Sequence, residues 1–104
     1  MTISTAFGAF AEQAPQFQQP WMAMVGQLAA ATALDAKTEE LAYLAVLAAA
    51  GMESGIPFHV VSAHRAGATR DEVISAILVG LPAVGQRVVS SLPAALAAYD
   101  TAVQ

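Results

Sequence analysis

The sequence predicts an all-α fold of about five to six helices. Three observations carry this: alanine dominates, the two-residue alternation of half-buried strands is absent, and glycine and proline fall between stretches of helical periodicity. At 104 residues the chain fits one domain. It divides into an N-terminal helical arm over 1–33 and a helical core over 34–104.

The opening stretch, MTISTAFGAFAEQAP, reads as a short helix or a frayed arm. A second helix is expected over 16–32, with Pro20 at or near a kink, because proline brings no N–H to the helical ladder. Asp35 suits the N-cap of a third helix over 36–50, where its carboxylate can accept a first-turn N–H. In that helix Leu41, Leu44, Ala45 and Ala48 make one stripe, and Tyr43, Val46 and Leu47 widen it. A helix apolar nearly all round belongs at the centre of the fold. Gly51 ends it. Ser54 is expected to cap the next helix, with Pro57 in the first turn, where a missing N–H has no intrahelical partner to lose. That helix runs to about Ala66 and stops at Gly67, a natural position for a helix-ending glycine. Thr69, with Glu72 three residues later, forms a capping box. The helix it opens carries Val73, Ile74, Ile77 and Leu78. Gly80, Pro82 and Gly85 break it, and a last helix, or a pair split near Pro93, covers 84–102.

Composition bounds the partners. The chain is 57% hydrophobic and 12% charged, about half the charged share of an ordinary globular chain. Its mean hydropathy is +0.56. So small a domain cannot hide that much apolar area within itself. The longest apolar stretches, 41–52 and 73–85, are shorter than the roughly 18 residues a membrane span requires. An obligate homo-oligomer is therefore expected, rather than a membrane protein. No basic start leads into an apolar stretch, so the cytoplasm is the expected location. Net charge is −4, and the four basic residues, Lys37, Arg65, Arg70 and Arg87, are scattered. Nucleic acid is not expected, because a phosphate backbone needs a positive stripe. The chain has no cysteine, which excludes disulfides, thiolate nucleophiles and zinc–thiolate sites within it.

Both histidines fall in one short segment, GMESGIPFHVVSAH, at 51–64. His59 and His64 are five apart, which puts them roughly 140° apart on a helix. A shared metal wants a spacing of three or four, so no metal is expected, and no cofactor. His64, beside Arg65, reads as a packed or solvated side chain. His59 lies about one turn inside a new helix, whose first N–H groups, near Gly55 and Ile56, lack intrahelical partners and carry partial positive charge. Gly55 has no side chain to block the backbone, so a small anion or carboxylate can dock there. Met52, Ser54, Gly55, Ile56 and Phe58 are the candidate pocket residues. Glu40 stands at the head of an otherwise apolar helix. If that helix packs antiparallel to the one bearing His59, or meets it across a subunit contact, the two form a carboxylate–imidazole pair, which is a proton-transfer device. Phe17, Trp21, Met22, Met24 and Phe58 read first as core or interface and only second as pocket lining.

These residues also carry a resemblance. The stretch from 34 to about 99 resembles the alkylhydroperoxidase D / carboxymuconolactone decarboxylase superfamily, AhpD-like helical bundles. The peroxidase branch has E-x11-C-x2-C-x3-H, followed by a helix, a Gly-Ala-Thr turn and an acidic helix start. Glu40 and His59 stand at the motif's glutamate and histidine. RAGATRDEV at 65–73 matches the turn, and GLPAVG at 80–85 is similar to the segment beyond it. The resemblance implies a trimer or hexamer. It also places Met52 and Gly55 at the two cysteine positions. A thioether neither ionises nor forms a disulfide, so peroxide reduction is not expected. The decarboxylase branch has a histidine at the place of His59, usually preceded by polar and acidic residues. Here Gly55, Ile56, Pro57 and Phe58 precede it, a departure from the pattern for muconolactone itself.

Two classes of function follow. One is a cofactor-free acid–base enzyme using Glu40 and His59 on a small organic acid or lactone. The other is a non-enzymatic small-ligand-binding or oligomeric interaction protein that has lost the peroxidase chemistry. The first expects Glu40 and His59 within reach of each other, on two helices, facing a cavity near residues 54–57.

Overall fold

The computed structural model describes residues 3–104. Residues 1 and 2, which begin the expected arm, lie outside the described residues. Six helices of two turns or more and one single turn make up the fold, with no strand among the described residues: α1 (Thr5–Gln13), α2 (Pro15–Ala31), α3 (Ala36–Ala50), α4 (Ile56–Arg65), α5 (Arg70–Leu78), the one-turn α6 (Leu81–Val84) and α7 (Leu92–Ala102). Short 3₁₀ segments at Glu53–Gly55 and Gly85–Ser91 link α3 to α4 and α6 to α7.

The helix ends follow local chemistry. The Ser4 side chain accepts from Phe7 N–H at 3.1 Å to open α1. Asp35 Oδ1 accepts from Thr38 N–H at 2.8 Å to open α3. Gly51 closes α3 at φ 72°, a left-handed conformation that costs an L side chain energy. Its N–H reaches Ala48 O, and Met52 N–H reaches Leu47 O at 2.9 Å, so two of the last carbonyls of α3 are satisfied. The capping box of α5 is complete: Glu72 N–H donates to Thr69 Oγ1 at 3.1 Å, and Thr69 N–H donates to Glu72 Oε1 at 2.9 Å. Ser54 does not cap α4. It lies inside the 3₁₀ turn, and the N-cap is Gly55, with no side-chain bond. The tighter turn takes up the residues that a serine cap would need in extended form. Pro57 does sit in the first turn of α4, and Pro93 in that of α7. α2 continues unbroken across Pro20.

The core lies where α3, α4, α5 and α7 meet. Leu44, Leu47 and Ala48 of α3 pack with Ile56, Val60 and Ala63 of α4, Val73 and Ile77 of α5, and Val88, Ala95 and Tyr99 beyond. Polar ties hold the helices in register. Lys37 on α3 bridges to Glu72 on α5 at 3.0 Å, and Arg70 on α5 bridges to Asp100 on α7 at 2.9 Å. Buried Tyr99 donates its hydroxyl to Ala68 O at 2.9 Å. The stretch Arg70–Ala102 is long and apolar enough, by length and composition, to cross a membrane. It is broken instead into α5, α6 and α7, and its Val73, Ile77, Val88, Ala95 and Tyr99 turn into the core.

Two features depart from the reading of the sequence. α3 is central, but only one of its faces is covered; Ala42, Tyr43, Val46 and Ala50 are exposed. The arm packs chiefly on itself: α1 lies on α2, the rings of Phe7, Phe10 and Trp21 cluster at centroid distances of 5.8–6.3 Å, and neither helix has a buried residue.

Candidate proton-transfer site

Helices α3 and α4 are joined by a tight return. Gly55 comes back against Leu47: a Cβ on Gly55 would stand 3.3 Å from Leu47 Cδ1. Four residues further on, His59 reaches Tyr43 and Glu40. The contacts therefore run in opposite directions along the two helices, and the pair is antiparallel.

Here Glu40 Oε1 meets His59 Nδ1 at 2.8 Å. The two side chains are 26% and 25% exposed, so three-quarters of each is shielded while an edge stays open. An ionised carboxylate only accepts hydrogen bonds, so the ring hydrogen is assigned to Nδ1. That leaves Nε2 with its lone pair as the basic atom. Aromatic rings flank the imidazole: Tyr43 at 4.3 Å between centroids, and Phe58 at 5.2 Å, nearly perpendicular. They restrict the ring's rotation and shield the pair from water on two sides. Tyr43 was seen in the sequence only as a residue widening an apolar stripe. The available signal was its spacing, three residues after Glu40 and hence on the same side of the helix.

The other candidate residues do not gather into one pocket. Ile56 is fully enclosed in the core, and Met52 and Phe58 are exposed side chains. The open side of Gly55, expected to admit an anion, is filled by Leu47. At the α4 N-terminus Ile56 turns into the core, while Ser54 stays exposed and Gly55 half-buried. An open groove of about 620 Å³ lies instead between α4 and α7, lined by Pro57, Val61, His64 and Arg65 on one side and Ala94, Ala98 and Thr101 on the other. His64 stands there with its ring on Tyr99, at 5.1 Å, away from Glu40. Among the described residues, no group of three or more histidines and carboxylates gathers where a metal ion could be held.

The fold and the pair define a class of protein: an all-α helical bundle in which two antiparallel helices hold a carboxylate against an imidazole. Within that class the chain belongs to the carboxymuconolactone decarboxylase family, whose sequence pattern matches residues 15–98. The match starts with α2, so it takes in a helix assigned above to the arm. No curated protein and no solved structure matches the chain.

Proposed function

We propose that this protein is a thiol-free acid–base catalyst of the carboxymuconolactone decarboxylase family, acting without a cofactor on a small organic acid or lactone. The 2.8 Å contact between Glu40 and His59 carries the reading. Glu40 orients the ring through Nδ1 and stabilises the imidazolium, and Nε2 exchanges a proton with substrate. In an isomerisation, Nε2 takes a proton from the carbon beside a carbonyl and returns it elsewhere on the same skeleton. In a decarboxylation, the C–C bond to the carboxylate breaks, its electron pair stays on the carbon beside the carbonyl, and Nε2–H of the imidazolium protonates that carbon. Neither sequence of steps consumes an oxidant or a reductant. Met52 and Gly55 in the cysteine positions support a reading without peroxide chemistry.

One observation favours a second reading, a non-enzymatic binder of small ligands or a partner in assembly. On the side of Gly55 where an anion was expected to approach, beside His59, Leu47 stands instead, and Ile56 is buried in the core. Turnover separates the two. A panel of small oxo-acids and lactones is incubated in deuterated water, and carbon-bound deuterium and carbon dioxide release are followed. For any substrate turned over, His59→Gln is expected to lose about 10²–10⁴-fold in rate, Glu40→Gln part of that, and His64→Gln nothing. Rates unchanged in His59→Gln would overturn the acid–base role. Ligand binding with no turnover across the panel would establish the second reading.

A further inference from the structure

The four lysines and arginines of the chain can each be placed relative to the Glu40–His59 pair, and three are already engaged. The Lys37 ammonium lies against both carboxylate oxygens of Glu72, at 3.0 and 3.3 Å. Arg70 makes a two-pronged bond to Asp100, at 2.9 and 3.1 Å. Arg87 donates to Ala50 O at 3.1 Å, ten residues and hence about 15 Å along α3 from Glu40. Arg65, the fourth, lines the groove between α4 and α7. It comes six residues after His59 and so lies about 120° round the helix from it. Carboxylates are plentiful by contrast. Residues 35–64, which carry the pair, hold Asp35, Glu39, Glu40 and Glu53, with Lys37 as the only lysine or arginine.

Backbone donors are no freer. An anion is drawn to a helix start by N–H groups that lack partners. At the start of α4, Gly55 N–H donates to Met52 O at 3.3 Å, Ile56 N–H donates to Glu53 O, and Pro57 has no N–H. Two aromatic side chains stand around the imidazole instead, Tyr43 and Phe58, and each is 43% exposed. A ligand arriving there meets apolar, π-rich surface and a carboxylate, and no free positive charge.

We propose that the substrate of this site is an uncharged, flat carbonyl compound, an unsaturated lactone or cyclic ketone, and not a carboxylic acid. This substrate class rests on the acid–base reading of Glu40 and His59 and narrows it. With the ring neutral, Glu40 keeps its negative charge beside it. A substrate carboxylate would add a second, with no cation to offset either, in a partly shielded place where like charges repel more than in bulk water. A lactone brings no such charge. In one whose C=C bond is not yet conjugated, Nε2 takes a proton from the carbon between the carbonyl and the C=C bond. The electron pair moves onto the carbonyl oxygen as a dienolate, and the imidazolium returns the proton to the far alkene carbon. The double bond has then shifted into conjugation, and nothing is oxidised or reduced. The dienolate's charge arises together with the imidazolium that balances it. A decarboxylation would instead begin with an unbalanced carboxylate in place.

Two probes of equal shape separate charge from fit: a five-membered β,γ-unsaturated lactone carrying a carboxamide, and the same lactone carrying a carboxylate at the same carbon. Each is titrated at neutral pH and low salt into ¹⁵N-histidine-labelled protein. The His59 ring signals report occupancy of the site, and those of His64 mark the groove between α4 and α7. The amide should bind at His59 at least tenfold more tightly than the acid, and the ratio should shrink at about 0.5 M salt, which screens charge. Phe58→Arg places a guanidinium beside the imidazole at an exposed position and should abolish or reverse the preference. Acid binding at His59 as tight as amide binding would overturn the proposal. So would a ratio untouched by Phe58→Arg, or His59 signals that neither probe moves at millimolar concentration. Double-bond migration, followed in deuterated water, tests the catalysis separately. Selective binding of the amide with no migration would overturn the acid–base reading and uphold the neutral ligand class. Migration of both probes at equal rates, lost in His59→Gln, would uphold the catalysis and overturn the class.

Discussion

Replacing Gly51 with alanine tests how the helix bearing Glu40 is ended. Gly51 holds φ 72°, and placing an L side chain there costs about 1–2 kcal/mol. A second cost comes from across the fold. A Cβ at this position would stand 2.7 Å from Arg87 Nη2, which donates to Ala50 O at 3.1 Å. The arginine tip is flexible and swings away, so the clash is relieved by losing that hydrogen bond, about 0.5–1.5 kcal/mol. The expected total is about 1.5–3.5 kcal/mol. The assay is urea unfolding followed by circular dichroism at one fixed protein concentration, which keeps apparent stabilities comparable between variants. The double-mutant cycle with Arg87→Ala isolates the second part: in that background Gly51→Ala should cost only the backbone share, leaving a coupling of about 0.5–1.5 kcal/mol. A cost for Gly51→Ala below about 0.5 kcal/mol would refute the strain argument. A full cost with no coupling would refute the role given to Arg87.

Three further predictions follow from the same reasoning. Tyr99→Phe removes the hydroxyl that satisfies Ala68 O in the interior and should cost about 1–3 kcal/mol, whereas Ser91→Ala should be neutral or stabilising, because Ser91 Oγ is buried with no partner among the described residues; unfolding curves in which Ser91→Ala costs more than Tyr99→Phe would contradict both. The Thr38 backbone N–H holds the Asp35 carboxyl low, the Thr69 backbone N–H does the same for Glu72, and the Arg70 guanidinium for Asp100. Their folded values lie below the unfolded ones, so their stabilisation is complete above the ordinary carboxylate range and is lost as pH falls through it; melting temperatures measured from about pH 6 down to pH 2.5 should decline only below about pH 4.5, and a decline already under way near pH 6 would show that other groups control the transition. With no thiol in the chain, reductant-dependent turnover of alkyl hydroperoxides should not exceed a heat-killed control, and catalytic turnover above it would refute the need for a thiolate.

Some parts of this molecule were open to reading from sequence, and physical reasons separate them from the rest. The ends of α3 and the start of α5 were legible because their signals are local: Asp35 to Thr38, Gly51 and Thr69 with Glu72 act over three or four residues, and no tertiary partner is needed to close them. Ser54 misled because serine fits several turns, and the choice between a cap and a 3₁₀ turn was made by the packing of Gly55 on Leu47. The contact between Glu40 and His59 spans 19 residues, beyond the reach of helical periodicity; the spacing shared with a family pointed to it. Tyr43 was missed because an aromatic residue in an apolar stripe reads as core. Composition announced an excess of apolar surface, but not that α2 and one face of α3 hold much of it, since that depends on which faces the short return between α3 and α4 leaves uncovered.

The central claim is that Glu40 fixes His59 in the tautomer that leaves Nε2 as the free base. Long-range proton–nitrogen NMR of ¹⁵N-histidine-labelled protein, at a pH where the ring is neutral, reads this directly. The account predicts a protonated-type signal for His59 Nδ1 and an unprotonated-type signal for Nε2, with the preference lost in Glu40→Ala and unaffected by His64→Gln. A proton on Nε2 in the unaltered protein, or a tautomer that does not change when the Glu40 side chain is removed, would contradict it.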